Sequence, residues 1–138
     1  MQIDKNDQPI LIYLFVSEEA YQEKNEEKED GDDKERLVII DPIIGLIFRE
    51  LPHSDFSFMI NAALTNCNEN RLYEPIAAIV SPQGETIETR KFQSFMTHTG
   101  SYQFGGECTV DIAHPGLYKV VLLLDNKEIG RTCFEVRS

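Results

Sequence analysis

The chain has no tryptophan, only three cysteines and fewer basic than acidic side chains. Each shortage excludes something. The cysteines, Cys67, Cys108 and Cys133, form no C-x-x-C pair and no zinc-site spacing, so neither a disulfide framework nor a structural zinc site is expected. Ordinary reduced thiols are the reading. Nor is there a long apolar run. Residues 10–16 (ILIYLFV) are far too few to cross a bilayer, which takes about 20. Residues 1–7 lack the basic region and apolar stretch of a signal peptide, so the expected compartment is the cytoplasm.

Lys and Arg number 13 against 24 Asp and Glu, for a net charge of −11. A nucleic-acid backbone is normally gripped with clustered Lys and Arg, and anionic membranes attract the same residues. Direct contact with either is therefore not expected. The acidity is concentrated. Residues 17–36 hold ten acids, among them Glu18, Glu19 and Glu23, against Lys24, Lys28, Lys34 and Arg36.

What is present is a succession of short apolar runs separated by turn signals, as an antiparallel β fold requires. Residues 10–16 form one run. Residues 37–48 form another, interrupted by Pro42 and Gly45, and proline marks an edge, a bulge or a break between strands. Along 56–64, Phe56, Phe58, Ile60, Ala62 and Leu64 share a face. Residues 76–80 lead through Pro82-Gln83-Gly84 into 85–92, a predicted hairpin. Residues 93–106 are irregular. Then come 107–112, 117–124 and 127–137, the last two joined by Asp125-Asn126, which tolerates a tight hairpin turn. Alternation turns Cys108 inward with Val110 and Ile112, and turns Cys133 outward with Arg131 and Glu135. Cys67 falls in a polar loop.

About seven or eight strands at this spacing indicate an all-β sandwich, and no strand–helix alternation suggests an α/β fold. A chain of 138 residues fits a single domain, 1–138, with a core built around Phe58, Ile60, Tyr118 and Val120. One short helix is expected near 18–24, capped by Ser17, with Glu18 and Glu19 at its positive end and Lys24 at its negative end. Residues 25–35 contain no large apolar side chain, so an acidic, mobile insert is expected at about 25–36.

The order of these features carries a resemblance. An apolar first strand ends in Val16-Ser17-Glu18-Glu19, followed by Ile43-Ile44-Gly45-Leu46-Ile47-Phe48 and Leu51-Pro52. The Pro82-Gln83-Gly84 hairpin comes next, and the chain closes with His114-Pro115-Gly116-Leu117-Tyr118-Lys119-Val120. Over nearly its whole length the chain resembles an uncharacterised family of small bacterial proteins with an immunoglobulin-like sandwich. That resemblance implies the fold and brings no activity with it.

No grouping of residues indicates chemistry. His53, His98 and His114 are the candidate general bases. His53 is read as a loop residue beside Ser54 and Asp55, with no Gly-x-Ser-x-Gly elbow to present a nucleophile. Asp111 and His114 could approach one metal ion, but two ligands fall short of a site, and Cys108 points the other way. Glu29-Asp30-Gly31-Asp32-Asp33 offers oxygen ligands without the spacing of a calcium loop. Gly105-Gly106 lacks the lysine and helix of a phosphate loop. No catalytic residue, metal or cofactor is therefore expected. The leading reading is a non-enzymatic protein-binding or assembly module, which includes a homodimer formed through a sheet edge or face. The alternative is an acidic mimic of nucleic acid that blocks a basic partner. A calcium-binding sandwich ranks lower.

Overall fold

The computed structural model describes residues 8–24 and 35–138, with 20–24 and 35–41 described by backbone alone. Among the described residues nine strands follow in order. They are β1 (Ile10–Lys24), β2 (Glu35–Pro42), β3 (Gly45–Ile47), β4 (His53–Thr65) and β5 (Pro75–Val80), then β6 (Thr86–Lys91), β7 (Tyr102–Ile112), β8 (Gly116–Leu124) and β9 (Lys127–Arg137). A four-stranded sheet, β2-β1-β4-β7, faces a five-stranded one, β3-β9-β8-β5-β6. The fold is the all-β sandwich that the alternating pattern implies. The strand count exceeds expectation because Pro42 and the residues after it divide 37–48 into two strands belonging to different sheets. On the way across, the Ile43 N–H donates to the Val16 carbonyl, and the Ile44 carbonyl accepts from the Glu135 N–H. β3 then pairs parallel with β9, and every other ladder is antiparallel.

The helix expected near 18–24 is absent. Those residues continue β1, and Glu19 to Lys24 pair with β2 from Ile40 back to Glu35. An isolated helix of two turns is marginal in water, whereas the ladder satisfies the same backbone groups against a neighbouring strand. Ser17 caps nothing. Its hydroxyl donates to the Glu19 carbonyl and accepts from the Asn61 amide at 2.9 Å. The proposed insert at 25–36 falls largely outside the described residues. Its last two, Glu35 and Arg36, open β2.

The inner layers meet as the period-two pattern requires. Phe58, Ile60, Tyr118 and Val120 are all essentially inaccessible. Phe58 of one sheet reaches Phe134 of the other at 5.6 Å between centroids, and Phe134 stacks on Tyr118 at 5.4 Å. A second apolar cluster closes one end, where Phe95 stacks on Tyr102 and Tyr73 above Leu64, Cys67 and Leu124. Here the scattered aromatics of 93–106 find their role, and β7 begins at Tyr102, earlier than the apolar pattern suggested.

Taking β1, β4 and β7 as strands A, B and E, and β9, β8, β5 and β6 as G, F, C and C′, the order is the immunoglobulin arrangement. β2 is an added edge strand. A further mark of that fold is present. Tyr118, near the start of β8, donates its hydroxyl to the His114 carbonyl at 2.7 Å, the tyrosine corner that pins the loop between strands E and F. Both hairpin expectations hold. Asp125 and Asn126 adopt positive φ in the β8–β9 turn, and Gly84, at φ 88°, closes the β5–β6 turn with its N–H on the Ser81 carbonyl.

The open sides of the sandwich are sealed by two close approaches. Leu11 of β1 lies over Gly130 of β9, where even a Cβ would come within 2.2 Å of the leucine Cδ2. On the other side Arg90 of β6 crosses Gly106 to donate to the Glu107 carbonyl of β7. Two outcomes test these features. Gly130→Ala should cost about 1–3 kcal/mol in urea unfolding, and the cost should shrink markedly in a Leu11→Ala background. Simple additivity of the two would show that the contact is not what excludes a side chain. Tyr118→Phe should also cost about 1–3 kcal/mol, because it leaves the His114 carbonyl short of its donor. Unchanged stability would remove the tyrosine corner from the account.

Candidate functional site

Among the described residues, those able to carry chemistry do not converge. His53 opens β4 opposite Ile112, which corrects its placement in a loop, and its ring lies against Phe48 at 4.7 Å. The β4–β7 ladder extends to this point, so the Leu51-Pro52 turn ends before it. His98 sits in the exposed bend before β7, and His114 in the turn that Tyr118 pins. Asp111 accepts the Asp55 N–H at 3.0 Å. Among the described residues, no three His, Cys, Asp or Glu side chains are placed to share a metal ion. Gly105 and Gly106 lie within β7. The calcium candidate, 29–33, lies outside the described residues.

The cysteines divide as alternation implied for two of them. Cys108 is buried and Cys133 exposed. Cys67 is in a loop, as read, but that loop folds under the second cluster, and the thiol is buried. Burial pushes the Cys67 thiol up. Burial likewise pushes Cys108 up to about 11, with the Glu88 carboxylate adding to the rise and Arg90 opposing it.

The feature that does converge is apolar. Within β8, Tyr118, Val120 and Leu122 point inward, so Leu117, Lys119, Val121 and Leu123 point out. Register extends this outer face across the five-stranded sheet. Val80 lies opposite Lys119, Ala78 opposite Val121, and Ile76 opposite Leu123. The result is a contiguous block of Ile76, Ala78, Val80, Val121 and Leu123 at the centre of the sheet. Ala78 is buried, and the other four are half-buried although no element of the described structure lies over them. Around the block stand charges. Lys91 is opposite Ile76, Lys119 opposite Cys133, and Arg131 opposite Val121. At the far end Leu117 is 47% exposed, and Ile47 on the edge strand is 82% exposed.

The outer face of the four-stranded sheet is less uniform. Tyr13 and Phe15 pack ring to ring at 5.2 Å, and Asn61 beside them is fully buried, donating to the Phe15 carbonyl and the Ser17 hydroxyl. The two-sided apolar character of β5 and β8 was present in the sequence as the unbroken runs IAAIV and VVLLL. A run without alternation means a strand apolar on both faces.

No family model matches the chain, and no curated protein matches it. Solved structures do match. One is the alkylpurine DNA glycosylase AlkC of Pseudomonas fluorescens, bound in that structure to DNA containing an abasic site analog. It is 14% identical with a TM-score of 0.58, over 94% of this chain and 30% of that one. Another is a glycosyl hydrolase family 2 member from Bacteroides cellulosilyticus, 16% identical with a TM-score of 0.50, over 64% of this chain and 13% of that one. An immunoglobulin-like protein of Pseudomonas aeruginosa matches along 91% of this chain and 97% of its own, at 9% identity and a TM-score of 0.40. The chain thus spans less than a third of the glycosylase and of the hydrolase. For the glycosylase and the hydrolase the likeness is one of fold.

The thiols offer a direct check of the placement. Under native conditions a maleimide should label Cys133 readily, and Cys67 and Cys108 only on unfolding. The Cys108 shift carries a sign. An unfolded thiol loses its proton near its ordinary value of 9.0, whereas the folded one keeps it to about 11. Between those values the folded state binds more protons, so stability falls as pH rises from 9 to 11. Cys108→Ala should flatten that fall in urea titrations. An unaltered pH slope would show that the thiol does not report its burial in this way.

Proposed function

We propose that this chain is a non-enzymatic protein-binding or assembly module that works through the outer face of its five-stranded sheet. One observation carries the reading: β5 and β8 are apolar on both sides, and only their inner sides are needed for the core. A contiguous apolar patch on a sheet face that no described element covers is a candidate contact surface. The dispersal of His53, His98 and His114 supports a role without chemistry. The likeness to part of a DNA glycosylase concerns fold, and a net charge of −11 argues against this chain gripping phosphates.

Val121→Glu tests the reading, because it charges the centre of the face without entering the core. Folding stability should change by no more than about 1 kcal/mol. Light scattering and retrieval of partners from the native host should show an association of the parent chain that this variant loses. Glu69→Lys, on an exposed loop residue, should leave it intact. A strict monomer that retrieves nothing, or a partner that binds the Val121 variant equally well, would count against the module.

A further inference from the structure

The outer face of the five-stranded sheet is opposite in sign to the chain that carries it. Lys91, Lys119, Arg131 and Arg137 project there, against Glu128, Glu135 and, just before β5, the exposed Glu74. Arg131 and Arg137 are engaged with Glu128 and Glu135, at 2.5 and 2.9 Å. Lys91 and Lys119 form no ion pair among the described residues. These two lysines flank the apolar block, one beside Ile76 and one beside Val80. The molecule therefore carries a net positive, apolar-centred face on a body whose total charge is −11.

We infer that the occupant of this face is a different protein, which presents an apolar surface bordered by carboxylates. The inference rests on the protein-binding reading and adds the chemistry of the partner. Charge selects among the occupants. A second copy related by a two-fold axis would press this face against itself, gathering the lysines of both copies into one interface and bringing two strongly acidic chains together. A nucleic acid could meet the lysines, but it has nothing to offer the aliphatic block between them, and the rest of the chain repels it. A partner with acidic residues around an aliphatic or aromatic centre satisfies both parts at once. Apolar burial supplies affinity, while the lysines steer approach and fix register.

The experiment places a photoreactive benzoyl-phenylalanine at position 89, an exposed threonine opposite Ala78, in the full chain expressed in its native host. Irradiation should capture one protein other than the chain itself. With that protein purified, raising the salt from roughly 0.05 to 0.5 M should weaken binding about tenfold or more. Lys91→Glu with Lys119→Glu should weaken it comparably at low salt, and carboxylate-to-lysine changes at the mapped contact on the partner should restore it. Circular dichroism of the double variant should match the parent. A captured partner indifferent to both salt and the double variant overturns the inference and leaves the module reading standing. Cross-links only between two copies of the chain also overturn it. Capture of neither kind overturns both.

Discussion

The sandwich depends on one aromatic contact that spans it. Phe58 reaches from the four-stranded sheet to Phe134 of the five-stranded sheet, and Phe134 lies flat on Tyr118. Sheets pack about 10 Å apart, and side chains of this size fill that gap from both sides. The small residues Ala62 and Ala77 belong to the same core. Tyr118 adds a second constraint, since its ring is committed to the core while its hydroxyl holds the loop at His114. The register of β8 is thereby set from both ends of one side chain. A slip by one residue would turn Tyr118 outward and Leu117 inward.

Once β8 is registered, the two sides of the five-stranded sheet separate into different duties. The inner side of β8 supplies Val120 and Leu122 to the core, and the outer side presents Val121 and Leu123 to whatever lies beyond. Replacing an inner residue and replacing its neighbour are different experiments, because the first tests folding and the second tests the proposed contact face. The closing contacts, Leu11 over Gly130 and Arg90 across Gly106, draw the sheet margins together and leave the face itself untouched.

Much of this was readable from residue order. Phe58, Ile60, Tyr118 and Val120 fall inward because a strand repeats every two residues, and the Gln83-Gly84 and Asp125-Asn126 turns announce themselves through residues that accept positive φ. The extension of β1 through residue 24 was not readable. Ser17 offers a helix cap, with Glu18, Glu19 and Lys24 placed to suit a helix dipole, and the ladder to the distant strand β2 takes up the extended form instead. Burial of Cys67 escaped for a similar reason, since its polar neighbours conceal that Tyr73 and Phe95 fold over it. The apolar outer face was visible as composition in IAAIV and VVLLL. Its continuity is a property of cross-strand register, which no single run contains.

β9 has an unusual position, bonded to β8 on one side and to the short parallel strand β3 on the other. The two ladders respond differently to tension. Pulling β9 away from β8 at their common turn opens the hairpin like a zip, one pair after another. Pulling β3 and β9 from opposite ends runs along their ladder, so Gly45, Leu46 and Ile47 must release Glu135, Val136 and Arg137 together. The three-residue strand, which adds only Leu46 to the margin of the core, is thus a mechanical clasp on the last strand of the fold.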